Sequence, residues 1–188
     1  MADTYVLIHG AWHTGELLEP VAKHLRAQGH TVHCPTLAGN RPGDDRSAIG
    51  LADAVKSVVD YLNQHDLKEV RLMGHSYGGM VISHVADQLP QRLRRLIYWN
   101  AFVPENGQCL NDMVPPHYVA LFDQIAAANE GAVMLPYPIW RDAFINDADA
   151  ALAEKSYGLL NPHPYKTFTD KASLSQPLAA MAVGKSYL

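Results

Sequence analysis

Cysteine is scarce in this chain, with two residues, Cys34 and Cys109, among 188. Cys34 lies in the strand-like run His30 to Cys34, which suits a buried thiol better than one half of a disulfide. Two cysteines with no partner pattern fit a reducing compartment. There is no cysteine cluster and no H-E-x-x-H, so no metal site is expected. No G-x-G-x-x-G follows a strand, so no dinucleotide cofactor is expected either. No apolar run approaches the length of a membrane span. The N-terminus, Met1-Ala2-Asp3-Thr4, leads straight into an apolar strand, without the charged stretch and long apolar segment of a secretory signal. A soluble cytoplasmic protein is therefore the expectation. Excess positive charge is also lacking: the net charge is −4 and the pI about 6.2. Lysine and arginine are scattered, the densest group being Arg92, Arg94 and Arg95, which excludes a nucleic-acid footprint. The sequence holds no internal repeat and no low-complexity segment, and nothing in it specifies an oligomeric state.

What is present is apolar residue, at 48% of the chain, enough for one domain with a sizeable core. Tyr5 to Ile8 is a continuous apolar run closed by His9-Gly10, the pattern of a strand buried on both faces. Glu16 to Gln28 carries Leu17, Leu18, Val21, Ala22 and Leu25 at helical spacing, with Gly29 at the C-cap position. Thr31 to Cys34 reads as a second strand, Leu37 to Gly50 as loop, and Leu51 to His65 as a helix. Val70 to Met73 is a third strand, Gly78 to Leu89 a helix and Leu93 to Trp99 a fourth strand. This β-α-β-α-β-α-β order predicts a parallel sheet with right-handed crossovers and helices on both faces. Sites in such sheets form at the carboxyl ends of the strands. From Pro104 to Leu160 no strand alternation appears; Tyr118 to Ala128 and Trp140 to Gly158 look helical, as a lid over the strand ends would. Gly184 to Leu188 resembles the start of another strand. The expected division is 1-103 for the first part of the core, 104-175 for a helical lid, and 176-188 for the return to the core.

Gly74-His75-Ser76-Tyr77-Gly78 is G-x-S-x-G between a predicted strand and a predicted helix, the context a nucleophile elbow needs. The turn is so tight that bulky residues two before and two after the serine would clash. It lifts Ser76 Oγ clear of the sheet and aims the amide of Tyr77 and the positive end of the helix at a reacting carbonyl oxygen. A second oxyanion donor must come from the loop after a neighbouring strand. His9-Gly10-Ala11-Trp12-His13 is that loop, with the Ala11 amide expected as donor and Trp12 as the fallback. His75 should point away from Ser76 Oγ, and packing or loop ordering suits His9 and His13 better than a general base. His24, His30, His65 and His84 look like surface or flanking positions, and His117 and His163 fall in the lid and its exit. Glu105 could orient a histidine, although a surface-loop role suits it better. Trp140, Phe144, Tyr118 and Tyr137 could line an apolar pocket.

The chain resembles the α/β-hydrolase superfamily, and within it the plant methylesterase and hydroxynitrile lyase family with its bacterial esterase relatives. The pieces that carry the resemblance are VLIHGAWHTG (Val6 to Gly15), LAGN (Leu37 to Asn40), GHSYGG (Gly74 to Gly79) and AFVPENG (Ala101 to Gly107). The resemblance implies a parallel α/β-hydrolase sheet with helices on both faces and a helical lid, its last strands missing from this chain. It implies Ser76 as nucleophile and the Ala11 and Tyr77 amides as oxyanion hole. Gly10 falls where family lyases carry a threonine or asparagine that helps bind the cyanohydrin hydroxyl, which tilts the expectation toward esters. Gly10, Trp12 and Trp140 are the expected substrate-binding residues. The family's acid follows the strand that Gly184 to Leu188 begins and its histidine follows the next, so both positions fall beyond Leu188. These 188 residues alone are thus expected to turn over little or nothing. The expected activity is cleavage of small-molecule carboxylic esters through an acyl-enzyme at Ser76. Cyanohydrin cleavage on the same site, or a non-catalytic small-molecule binding protein on this fold, are the alternatives.

Overall fold

The apolar run that opens the chain becomes the middle of a parallel sheet. The computed structural model describes residues 2–188; Met1, the first residue of the expected core segment, lies outside them. Strand β1 (Thr4–Ile8) pairs with β2 (Thr31–His33) on one side and with β3 (Val70–Ser76) on the other. Beyond β3 come β4 (Leu93–Ala101) and β7 (Gly184–Tyr187), so the order is β2-β1-β3-β4-β7, every pair parallel. Alternation along β1 decides which layer each residue joins. Val6 and Ile8 enter the core under helices α2 (Leu51–Gln64) and α3 (Gly78–Gln88). Leu7 points the other way, into a smaller cluster with Leu18, Ala22 and Val32 beneath α1 (Glu19–Ala27). Both faces are therefore covered, as the continuous apolar strands require.

Local chemistry sets the helix ends. Gly29 takes a φ of 87° after α1, and the His30 amide turns back to the Leu25 carbonyl at 3.2 Å. The first amides of α2 are met by carboxylates, Gly50 N–H by Asp53 and Leu51 N–H by Asp170, each at 2.9 Å.

The stretch expected as a lid holds α4 (Pro116–Ala128), α5 (Tyr137–Phe144), α6 (Ala150–Tyr157) and the short α7 (Lys166–Thr169). The helix expected over Trp140 to Gly158 is two helices. Asp149 caps the second, accepting from Leu152 N–H at 2.8 Å, and this polar break forces a turn at residues 145–149. A two-residue antiparallel ladder, β5 (Ala132–Val133) with β6 (His163–Pro164), also stands where no strand was expected. Two bonds fasten the lid to the loop after β1: Trp12 Nε1–H donates to Val133 O at 2.9 Å, and Asn161 N–H donates to Trp12 O at 2.8 Å.

Candidate active site

β3 runs out at Ser76 and α3 begins at Gly78, so the serine stands at the turn between them. Its φ is 52°, a left-handed value that costs a side-chain-bearing residue about 1–2 kcal/mol. The glycines around it are explained by distance. A Cβ on Gly74 would lie 2.6 Å from Gly78 O, and one on Gly78 would lie 2.8 Å from Ile8 O. The tightest is Gly79, where a Cβ would meet Phe102 O at 2.1 Å. Helix α3 thus presses directly on the ends of β1 and β4, and that contact holds the strained turn in place.

The Ala11 and Tyr77 amides have no hydrogen-bond acceptor among the described residues. Both residues line, with Ser76, one cavity of about 370 Å³. Its other walls include Trp12, Phe122, Phe144, Phe168 and Asn100, and no charged side chain. Two unspent amide donors beside a half-buried hydroxyl are the arrangement that can hold a developing oxyanion. Gly10 belongs to the same place: a Cβ there would stand 3.0 Å from Ser76 Cβ and 3.1 Å from His75 Nδ1. Any side chain at position 10 would press against the serine.

The histidines divide by their partners. His9 and His13 stand four apart, but in a loop, and each donates from Nδ1 to a backbone carbonyl, Gly10 O at 2.8 Å and Ala11 O at 2.7 Å. His9 also accepts the Leu37 amide on Nε2 at 3.0 Å. Burial lowers its pKa to about 4. His75 packs on Trp99, ring centroids 4.8 Å apart, and burial lowers it to about 4 as well. His163 is wholly buried rather than a loop residue. Its Nδ1 accepts from Asn40 Nδ2–H and its Nε2–H donates to Thr167 Oγ1, both at 2.9 Å, and burial holds its pKa well below the ordinary value. With both ring nitrogens occupied, His163 does not serve Ser76. His84, expected at the surface, is buried along α3; its Nδ1 bonds Met80 O and its Nε2 accepts from Ser173 N–H.

Glu105 is exposed in the loop after β4 and lines a cavity that does not include Ser76. Trp140 lines a second cavity, of about 490 Å³, which also reaches Ser76 and which holds His13, His75 and Asn100. Phe144 lines both cavities, whereas Tyr118 and Tyr137 pack against the core and line neither. The pieces that sequence patterns did not mark are Asn100, Phe122 and Phe168, which reach the site from separate elements. Among the described residues no group of three or more His, Cys, Asp or Glu is arranged for a metal, and no helix is long and apolar enough to cross a membrane.

A profile of the alpha/beta hydrolase family matches residues 5–185. A carbendazim hydrolyzing esterase of Nocardioides sp. (strain SG-4G) is 36% identical over 166 residues, covering 87% of this chain and 61% of that enzyme. An alpha-hydroxynitrile lyase of Arabidopsis thaliana is 31% identical over 118 residues, 60% of this chain and 43% of the lyase. The chain thus spans about three-fifths or less of these curated relatives. Among solved structures, an extracellular alpha/beta-hydrolase from a Paenibacillus species, described as sharing structural and functional homology with tobacco Salicylic Acid Binding Protein 2, superposes with a TM-score of 0.93. It is 38% identical, and the match covers 98% of this chain and 76% of that one.

Proposed function

Because the chain belongs to the α/β-hydrolase family, we propose that it cleaves carboxylic esters with Ser76 as the nucleophile. Ser76 Oγ attacks the ester carbonyl, and the oxygen that gains charge rests on the Ala11 and Tyr77 amides. The alcohol leaves, and water then releases the acid from the acyl-enzyme. A histidine oriented by an aspartate takes and returns the proton in this scheme. None of the histidines among the described residues has a ring nitrogen bonded to Ser76 Oγ. The observation that carries the reading is the strained φ of 52° at Ser76, facing two unspent amides across one cavity. The esterase among its relatives supports the same chemistry.

The uncharged, aromatic lining favours neutral esters with an apolar part. Ester hydrolysis is preferred to cyanohydrin cleavage because position 10 carries no side chain to bind a hydroxyl, and any side chain there would crowd Ser76. A cytoplasmic, reducing setting is supported by two free cysteines, although the similar Paenibacillus protein is described as extracellular. The decisive experiment labels the protein, as its gene encodes it, with a fluorophosphonate. Labelling should map to Ser76, and Ser76→Ala should abolish both labelling and p-nitrophenyl acetate hydrolysis. Equal hydrolysis by the variant would remove Ser76 from the mechanism.

A further inference from the structure

We propose that His163 is a positioning residue for the oxyanion hole, holding Ala11 and Tyr77 where their two amides meet one oxygen. The role goes beyond the ester-cleaving reading of Ser76 and rests on it. His163 is wholly buried and lines neither of the two cavities that reach Ser76, so it acts without touching substrate. Both donors adjoin a strained residue. Tyr77 follows Ser76, with its φ of 52°, and Ala11 precedes Trp12, whose φ is 67°. Left-handed backbone at a residue with a side chain persists only where the surroundings over-determine it.

Around these residues the surroundings converge on one ring. His163 meets the Tyr77 ring edge-on, centroids 4.8 Å apart, and its centre lies 6.5 Å from that of Trp12. It stacks on Phe168 at 4.9 Å, and Phe168 in turn stands 6.1 Å from both Tyr77 and Trp12. The Tyr77 hydroxyl is buried with no hydrogen-bond partner among the described residues, so packing rather than a polar anchor fixes that ring. Trp12 is tied to the same stretch of backbone. Asn161 N–H donates to Trp12 O, and Trp12 Nε1–H donates to the carbonyl of Val133, the residue paired with His163 in the ladder.

The ring is itself locked. Asn40 presents Nδ2, which only donates, so His163 Nδ1 is the acceptor. Thr167 gives its hydroxyl proton to Pro164 O at 2.7 Å, so His163 Nε2 carries the hydrogen that Thr167 Oγ1 accepts. One tautomer in one orientation satisfies all of these groups, and a flipped ring would set donor against donor and leave buried groups unpaired. A glutamine amide can accept from Asn40 and donate to Thr167 in the same way; a leucine fills the space and does neither.

The test compares wild type, His163→Gln and His163→Leu in the protein as its gene encodes it. Sites are counted by fluorophosphonate titration, so that rates refer to folded sites and a lower folded fraction does not register. Acylation and deacylation both pass through an oxyanion, so misplaced donors lower kcat and leave KM nearly unchanged. His163→Leu should lower kcat for p-nitrophenyl acetate by about 10- to 100-fold, less than the loss of a whole donor because the amides are displaced and not removed. His163→Gln should recover most of the rate. Should His163→Leu not fold, Thr167→Val decides by the same criteria: it keeps the ring, frees Nε2–H, and should lower kcat about three- to tenfold with KM held. A wild-type kcat per site in the leucine variant, a change in KM alone, or a glutamine variant as slow as the leucine one would overturn the proposal. A wild type that takes no label and cleaves no ester removes the hydrolase reading and this role together. A labelled, active wild type that is indifferent to position 163 removes this role alone.

Discussion

Acid should unfold this protein through two histidines that lie far from its surface. His9 and His163 are both fully buried and both use one ring nitrogen as an acceptor, His9 from Leu37 N–H and His163 from Asn40 Nδ2–H. A proton on either acceptor breaks its bond and leaves a cation in the core. The folded pKa of His9 is accordingly lowered from 6.5 to about 4, and burial holds that of His163 well below 6.5. The unfolded chain takes up these protons near pH 6.5, while folded His9 resists its proton until near pH 4 and folded His163 resists in the same sense. Stability is therefore complete above about pH 6.5 and falls as the pH drops through the window below it. Integrating over that window, His9 removes about 2 kcal/mol between pH 7 and 5, and His163 and His75, both lowered as well, add losses of the same sign, together a large part of a domain's total. Carboxylates held low by their partners, such as Asp112 at about 2, act further down the scale. Urea melts at pH 7 and 5 measure the effect, and His9→Gln, whose amide can both donate and accept, should reduce the drop by about 2 kcal/mol. A loss under about 1 kcal/mol in the wild type, or an unchanged drop in His9→Gln, would refute the reasoning.

Two substitutions probe the architecture around Ser76. Gly79→Ala would place a methyl 2.1 Å from Phe102 O, so α3 must retreat from β4. The expected cost is about 3 kcal/mol, or about 6–12 °C in Tm for a chain of this size, together with slower fluorophosphonate labelling of Ser76. Gly107→Ala is its control, with a φ of 85° but open space around it; it should cost about 1–2 kcal/mol and leave labelling unchanged. Trp12→Phe keeps an aromatic ring but deprives Val133 O of its donor, and should cost about 1–3 kcal/mol. Faster amide exchange at residues 132–133 and 163–164 would show that the lid ladder has loosened; unchanged exchange there would mean that Trp12 does not hold it.

The elbow and its loop were legible because their chemistry is local. A turn that leaves no space for a Cβ must be written in glycine, and Gly74, Gly78 and Gly79 sit side by side in sequence with Ser76. The sheet was legible for a related reason: strands buried on both faces read as unbroken apolar runs, as at Tyr5 to Ile8. The lid was less so. The break before α6 depends on one capping aspartate, Asp149, in a stretch whose composition still looks helical. The β5–β6 ladder joins residues some thirty apart, and nothing in either pair of residues announces the other. His163 reads as an exit loop between two prolines, and only its distant partners Asn40 and Thr167 reveal it as buried structure. The second cavity was foreshadowed by Trp140 and Phe144, whereas His13 and His75 reach it from the loop after β1 and from within the elbow itself.

The placing of the three tryptophans carries one more consequence. Trp12 forms a wall of the aromatic cavity, Trp140 a wall of the second, and Trp99 lies against the back of His75. The molecule thus holds a separate natural fluorophore at each chamber and a third behind the histidine that adjoins the nucleophile. Replacing two indoles at a time by phenylalanine would leave single-emitter proteins, in which the wavelength and lifetime of the remaining indole report whether its own chamber is wet, dry or filled.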